Sequence, residues 1–258
     1  MRLQLLPSTI DPTGKVSGGQ HFTCFVIDDR VAIDAGSLAT SVSDAQRENI
    51  RDVLLTHAHL DHIAGLPLFI DDLFANLDEP VRVHARREVI EVLERDVFNW
   101  AVYPRFSELR NANGPVLEYR EIGANDEFGV AHLKIRSVDV NHKVTSSGFV
   151  VEHDDKSIAL SGDTAEMDAF WELINETEGL SALLIECAFP NDLGDLADIS
   201  HHLTPDRLAR ELDKFRNKDC PVYVVNLKPM YREMIIAEIR SLRLSSVEIL
   251  EVGRIYEF

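Results

Sequence analysis

Apolar and polar residues alternate along this chain with two periods, one typical of strands and one typical of helices. Apolar runs separated by an Asp-Asp pair predict two β-hairpins, at residues 24–34 and 149–160. Further strands are predicted at residues 81–83, 183–185, 222–225 and 247–250. Helices are predicted from apolar spacing around residues 89–97, 167–174, 205–215 and 231–239. Thr204 and Pro205 predict the start of the third helix, as N-cap and first-turn residue. Between residues 133 and 140 the strand alternation shifts, which is compatible with a bulge.

These elements follow one another through 258 residues without a low-complexity linker or an obvious repeat. An α/β chain of this length commonly buries one core, so a single domain over residues 1–258 is expected. The order of elements fits two sheets between layers of helices. Pattern alone indicates only an α/β protein.

The composition narrows the classes of molecule that the chain is expected to bind. The chain carries 26 basic and 44 acidic residues, a net charge of −18, which repels long polyanions, so no nucleic-acid polymer is expected to bind. A small anion can still bind beside divalent cations, which invert the local field. Three scattered cysteines, each beside apolar residues, predict buried thiols in a reducing compartment. No apolar run suits a membrane span or a secretory signal, so no membrane partner and a cytoplasmic location are expected.

The densest cluster of candidate chemistry follows the apolar run at residues 53–55. His57, His59, Asp61 and His62 lie within six residues. In an extended segment the first two imidazoles project to the same side, while Asp61 and His62 lie beyond a bend and can face a second ion. Imidazole and carboxylate are ligands that suit zinc, and also manganese or iron. The cluster therefore predicts a metal site.

The string THAHLDHIAG, residues 56–65, resembles the HxHxDH signature of the metallo-β-lactamase-fold hydrolases. Leu60 and Gly65 resemble the version found in class II 3′,5′-cyclic-nucleotide phosphodiesterases. The resemblance implies an αββα sandwich, with two mixed β-sheets flanked by helices. It also implies one or two Zn²⁺ ions, with Mn²⁺ or Fe²⁺ as alternatives.

The resemblance extends to residues further along the chain. It implies that His142 completes a three-histidine site with His57 and His59, and that Asp163 bridges two metals. Asp34, in Asp34-Ala35-Gly36, resembles a residue that orients the metal loop from the second shell. Asn226 stands where many relatives have a histidine ligand. It is predicted to be a weak ligand or a second-shell residue, which leaves the second ion weakly held, unless a neighbour such as His201 or a water fills the gap.

Two later segments resemble the phosphodiesterase branch more closely, and RNase Z more distantly. They run from Glu186 to Asn191 and from His201 to Pro205, with His201 in place of the usual glycine. The resemblance implies hydrolysis of a cyclic nucleotide such as cAMP to a 5′-nucleotide by a metal-bound hydroxide. Candidate catalytic residues are Asp61, Glu186 and His202, and we hypothesise that Glu186 orients His202 to contact the phosphate or protonate the leaving oxygen. Alternatively, Glu186 and His202 only brace the second metal loop.

Other interpretations stay open. Aromatic residues in the insert at residues 98–107 either wall a purine pocket or cover the core. The chain could instead be an RNase Z-like enzyme or another hydrolase of this fold, acting on thioesters or lactones. A nonenzymatic metal- or nucleotide-binding protein is the third alternative, motivated by Asn226. The expected partner is a small anionic substrate, and a homodimer is a further expectation.

Overall fold

Two mixed β-sheets of seven strands each organise the chain in the computed structural model, which describes residues 1–244 and 246–258. Each sheet belongs to its own unit. The units comprise Met1–Ser17, His21–Gly123 and Val252–Glu257 (the N-terminal unit), and Gly18–Gln20, Ala124–Glu251 and Phe258 (the C-terminal unit). The single domain expected over residues 1–258 stays a prediction.

In chain order the strands are β1 Arg2–Leu5, β2 Phe25–Ile27, β3 Val31–Ile33, β4 Asp52–Leu54, β5 Val81–Ala85, β6 Leu117–Glu121, β7 Glu127–Val130, β8 Leu133–Asp139, β9 Ser147–His153, β10 Lys156–Leu160, β11 Leu180–Glu186, β12 Val222–Val225, β13 Val247–Ile249 and β14 Ile255–Glu257. The α-helices are α1 Leu38–Ser41, α2 Asp44–Asn49, α3 Leu60–Ile63, α4 Leu66–Leu73, α5 Arg87–Val92, α6 Ala169–Asn175, α7 Gly194–Ser200, α8 Pro205–Asp213 and α9 Arg232–Ser241. Short 3₁₀ or π turns lie at Leu93–Val97, Phe106–Glu108, Asn191–Leu193 and Pro229–Tyr231.

The sheet of the N-terminal unit has the order β14-β1-β2-β3-β4-β5-β6. Its pairs are antiparallel from β14 to β3 and parallel from β3 to β6. Because parallel strands end at the same edge, β3 and β4 deliver the residues that follow them to one place. Every residue of β3 and β4 is buried, as expected for central strands covered on both faces.

The sheet of the C-terminal unit repeats this plan in the order β13-β12-β11-β10-β9-β8-β7. Its pairs are antiparallel from β7 to β10 and parallel from β10 to β13. Three parallel strands, β10, β11 and β12, therefore end at one edge. Each unit has its own apolar core. Leu66 and Phe69 of α4 pack in the core of the N-terminal unit, and Phe170 and Trp171 of α6 pack in that of the C-terminal unit.

Most elements predicted from the sequence are confirmed. Both hairpins form, with Phe25 opposite Ile33 and Val150 opposite Ala159. The four further strands and the four helices also form, and Thr204 is the N-cap of α8 with Pro205 in its first turn. The Thr204 side chain makes no capping hydrogen bond there, so its contribution is the extended backbone that admits the proline.

The prediction of a bulge between residues 133 and 140 is wrong. Strand β8 pairs with β9 in one continuous register from Lys134 to Asp139. Ser137 takes the inward position that follows Leu133 and Ile135, and its hydroxyl group is hydrogen-bonded to the backbone of Asp126. A core-facing serine interrupted the apolar pattern without changing the strand.

All three cysteines, Cys24, Cys187 and Cys220, are buried, as predicted. Burial raises the pKa of each thiol, that of Cys220 to about 11. Across residues 1–244 and 246–258, no helix combines the length and the apolar character needed to cross a membrane. The two mixed sheets with their helices confirm the predicted fold class.

Candidate metal centre

The histidine cluster of the N-terminal unit begins three residues after β4 and continues into α3. His57 and His62 are buried, and His59 is the N-cap of α3. The imidazole centroid of His57 lies 4.6 Å from that of His59 and 4.2 Å from that of His62. Asp61 lies in the first turn of the same helix. The four predicted ligands of this segment therefore lie together.

Asp34 orients two of these imidazoles. Its Oδ2 atom accepts a hydrogen bond of 2.7 Å from Nδ1 of His62, and both its oxygens lie within 3.0 Å of the Thr56 hydroxyl. Because a carboxylate only accepts, Thr56 donates to Asp34 and in turn accepts from Nδ1 of His57, at 2.9 Å. Both imidazoles then carry their lone pair on Nε2, the nitrogen left for a metal.

Backbone hydrogen bonds lock this segment against the turn after β3. Ala35 N donates to His62 O at 2.7 Å, and Gly65 N donates to Ala35 O at 2.9 Å. A Cβ atom on Gly36 would lie 2.0 Å from Asp61 O, and one on Gly65 would lie 2.6 Å from Ala35 O. Only glycine fits at these two positions, because the two backbone segments approach too closely for a side chain.

The second set of predicted residues lies at the carboxyl edge of the other sheet. Asp163 follows β10, Glu186 ends β11, Asn226 follows β12, and His142 follows β8. Potential ligand atoms of His142, Asp163 and His202 lie within 4.8 Å of one another, and all three residues are buried. One carboxylate and two imidazoles at this separation form a donor set suited to a divalent metal ion.

Glu186 is fully buried and holds His202. Its Oε1 atom accepts hydrogen bonds from Nδ1 of His202 at 2.8 Å and from the backbone N of Thr164 at 3.0 Å. Burial raises the pKa of Glu186, against the opposing attraction of His202. Burial alone would lower the pKa of His202, but its charge and hydrogen-bond interactions with Glu186 outweigh burial and raise it. His202 thus presents its Nε2 atom as the proton-carrying or metal-binding position.

His201 forms the turn after α7, at the place where the resemblance has a glycine. Its φ of 56° places it in the left-handed region, as the residue that ends α7. Its Nδ1 atom lies 3.0 Å from Oδ1 of Asn141, and its carbonyl oxygen accepts from Nδ1 of His142 at 3.0 Å. Because Nδ1 of His142 donates in the second bond, its lone pair lies on Nε2, the nitrogen left for a metal.

Asn226 also has a left-handed backbone, with φ 62°. Its Nδ2 atom donates a hydrogen bond to Oδ1 of Asp163. The side chain is thus a hydrogen-bond donor to the carboxylate that the sequence predicts as the bridging ligand.

Sequence reasoning missed several residues of the site. Thr56 and Thr164 were not assigned a function. Thr56 directly precedes the predicted ligand His57, and Thr164 directly follows the predicted ligand Asp163, each shortly after a strand. That position is the signal that could have found them. In the insert at residues 98–107, Phe98 and Phe106 are 0% and 1% exposed and pack in the core, so they do not wall a pocket.

Comparisons with known proteins decide the family. The family model described as the β-lactamase superfamily domain matches residues 29–220. The chain belongs to this superfamily. It is 27% identical over 227 residues to a probable 3′,5′-cyclic-nucleotide phosphodiesterase of Yersinia pestis, covering 78% of this chain and 63% of that protein. The chain therefore spans less than two thirds of the length of this relative.

The chain is also similar to a second class of curated protein and to a solved structure. A nuclear ribonuclease Z of Triticum aestivum is 30% identical over 142 residues, which cover 54% of this chain and 74% of that protein. The crystal structure of unliganded yeast PDE1 superposes with a TM-score of 0.76 at 18% identity, covering 98% of both chains. The structural likeness confirms the fold. The metallo-β-lactamase fold implies divalent-metal binding, and the donor sets of both units fit that expectation.

Proposed function

We propose that this protein is a divalent-metal-dependent phosphodiesterase that hydrolyses a 3′,5′-cyclic nucleotide to a 5′-nucleotide. The observation that carries the proposal is the buried Glu186–His202 pair beside His142 and Asp163, which supplies a proton donor next to candidate metal ligands. The similarity to the Yersinia pestis phosphodiesterase over 78% of the chain supports the same substrate class.

The metal ligands of the proposal are those that the sequence resemblance implies. In the N-terminal unit these would be His57 and His59, and in the C-terminal unit His142 and Asp163. Asp61 and His62 are the remaining ligands. When bound, a divalent ion polarises a phosphoryl oxygen and makes hydroxide available near neutral pH. Zn²⁺ is the first choice of ion for an imidazole-rich set, with Mn²⁺ and Fe²⁺ as alternatives.

The protein's own residues supply orientation and the proton. Asp34 and Thr56 hold the imidazoles of the N-terminal unit in one tautomer. Opening a cyclic phosphodiester expels the 3′ oxygen of the ribose, which must gain a proton. His202 carries that proton on Nε2 when its imidazole is protonated, and the Glu186 carboxylate, which accepts from Nδ1, stabilises that charged form and raises its pKa. A general acid at this position contributes about 10²–10⁴-fold to the rate.

Charge supports a small substrate. The net charge of −18 opposes a polyanion such as tRNA over the whole surface, since nonspecific nucleic-acid affinity comes from basic residues meeting phosphates. A cyclic nucleotide carries one phosphate and needs only the local positive field of the metal.

The second candidate is an RNase Z-like nuclease. The observation that favours it is the 30% identity to the Triticum aestivum ribonuclease Z over 142 residues. Both candidates cleave phosphodiester bonds and differ in the size of the substrate, so one experiment separates them.

The test offers several substrates in parallel to protein reconstituted with Zn²⁺ or Mn²⁺. These are cAMP, cGMP, bis(p-nitrophenyl) phosphate and a tRNA precursor. We expect hydrolysis of a cyclic nucleotide to its 5′-nucleotide, with loss of turnover in the His57→Ala variant. His21→Ala is the matched control, because His21 is exposed and, within the part of the chain that the structure describes, belongs to no group of potential metal ligands. Cleavage of the tRNA precursor without turnover of a cyclic nucleotide would overturn the proposal.

A further inference from the structure

The inference concerns Asn226 and the number of metal ions that the chain holds. Asn226 directly follows β12 and has a left-handed backbone, φ 62°, which asparagine tolerates better than most residues with a side chain. The turn directs its amide group to Asp163 at the same edge of the sheet. The position is half-buried, so its amide has little freedom to turn away.

The orientation of the amide follows from chemistry. Oδ1 of Asp163 belongs to a carboxylate, which accepts hydrogen bonds and donates none. An amide oxygen in the same place would be repelled by it, so the Asn226 nitrogen must face Asp163. The amide oxygen, the one atom of this side chain that binds a cation, therefore points away from Oδ1.

A donor and a cation compete at the same oxygen. The amide hydrogen of Asn226 carries partial positive charge and points at Oδ1 of Asp163. A metal ion that approached this oxygen would meet that charge and would have to displace the hydrogen bond. Because Oδ1 already accepts from the Asn226 amide, it is a poorer ligand for a second ion, and the carboxylate favours one ion over two.

We propose that Asn226 is a positioning residue and not a metal ligand, and that the chain accordingly holds one tightly bound divalent ion. This inference rests on the proposed function, in which Asp163 is a metal ligand. Asn226 fixes the rotation of the Asp163 carboxylate and makes it a terminal ligand of one ion. His201 does not replace the absent imidazole: its ring is held by Oδ1 of Asn141, and among residues 1–244 and 246–258 it belongs to no group of potential metal ligands.

The test counts metal ions. Apoprotein prepared with a chelator is reconstituted with excess Zn²⁺ and dialysed, and zinc per chain is measured by mass spectrometry. The wild type should retain one ion per chain. Asn226→His should retain two ions per chain. Imidazole is a stronger zinc ligand than an amide, and the substitution removes the amide hydrogen bond to Asp163. Asn226→Ala removes the donor without adding a ligand, and should retain one ion with about 10-fold weaker affinity.

Several outcomes overturn the inference. They are two tightly bound ions in the wild type, one ion in a folded Asn226→His variant, and unchanged zinc affinity in Asn226→Ala. Circular dichroism checks that each variant is folded, and the wild-type count decides even if Asn226→His does not fold. The counts are independent of turnover: if they are as expected while cAMP is not hydrolysed, only the proposed substrate fails. A wild type that binds no zinc overturns both proposals.

Discussion

A single carboxylate, Asp34, controls the tautomers of two imidazoles at once. It accepts directly from His62 and, through the Thr56 hydroxyl, determines which nitrogen of His57 carries the proton. In the C-terminal unit the same task falls to a backbone carbonyl, that of His201, and to Glu186. At the scale of the residue, the site consists of donors whose lone pairs are fixed before any ligand arrives, which lowers the ordering cost of binding.

Glu186→Gln tests the role of the buried pair. Glutamine has the same shape and can still accept from Nδ1 of His202, but it lacks the charge that stabilises a protonated imidazole. We expect kcat for cAMP to fall about 10–100-fold, with little change in KM and an unchanged metal content. Steady-state kinetics and metal analysis on the same preparation measure both quantities.

The control for that experiment is Glu248→Gln, a glutamate exposed on β13. It should leave kcat and metal content unchanged. A Glu186→Gln variant with wild-type kcat would show that Glu186 and His202 only support the loop. A variant that loses its metal would instead assign Glu186 to metal binding.

At the scale of the element, parallel strands gather the site. Strands β10, β11 and β12 end side by side and carry Asp163, Glu186 and Asn226 to one edge. In the N-terminal unit β3 and β4 do the same for Asp34 and Thr56. These strands are largely buried, and the side chains of the site lie at or just beyond their ends, where the packed sheet holds them in position.

Strands β4 and β5 also share an ionic cluster that predicts a dependence of stability on pH. Asp52 is buried opposite Arg82, which donates two hydrogen bonds of 2.7 Å to it, and His84 lies 2.9 Å from its Oδ1. Burial alone would raise the pKa of Asp52, but the hydrogen bonds and charges of Arg82 and His84 lower it overall. Its stabilising contribution is therefore present above the unfolded pKa of about 4 and is lost as the pH falls from that value toward the lower pKa of the folded state.

We expect Asp52→Asn to lower the free energy of unfolding by about 1–3 kcal/mol at pH 7, because it weakens charged hydrogen bonds in a buried site. The difference from wild type should shrink as the pH falls from 7 to ~3. Urea unfolding at several pH values measures it. Glu91→Gln, in the exposed pair with Arg87, should change stability by less than about 0.5 kcal/mol. A difference that stays constant with pH would contradict the assignment.

At the scale of the whole molecule, the two units have the same sheet plan but different side-chain sets. The N-terminal unit carries the histidine cluster, and the C-terminal unit carries the Glu186–His202 pair and Asp163. The surplus of acidic residues is a property of the whole chain and disfavors polyanions in general. The metal that the proposed function requires would add positive charge locally, where a phosphate could bind despite the acidic surface.

Removal of metal should destabilise the protein as a whole. A ligand that binds only the folded state at 100 times its Kd adds about 2.7 kcal/mol of stability. For a chain of this size we expect chelation to lower Tm by roughly 5–10 °C and addition of Zn²⁺ to restore it. Differential scanning calorimetry measures the shift. His57→Ala should abolish the dependence on zinc, whereas the control His21→Ala should keep it. An identical Tm with and without chelator would contradict a tightly bound ion.

Much of the fold and of the candidate site could be predicted because local patterns carry the information. Apolar alternation identified both hairpins, and strand ends marked His57, His142 and Asp163. The prediction failed at Ser137, where a polar residue occupies a core position by bonding to the backbone of Asp126. It also left Phe98 and Phe106 undecided, since exposure of an aromatic residue depends on what the chain packs against it.

The sequence by itself determined which residues could bind metal, since imidazole and carboxylate groups at strand ends are a chemical property of the chain. It also determined the superfamily, through the motif at residues 56–65. Only the tertiary structure decided how those groups are oriented. Whether Asn226 donates to Asp163 depends on two strands that end at one edge, and whether His201 supports His142 depends on a helix end that meets a strand end far away in the sequence. Hydrogen-bond direction is a property of that three-dimensional arrangement, and no local pattern contains it.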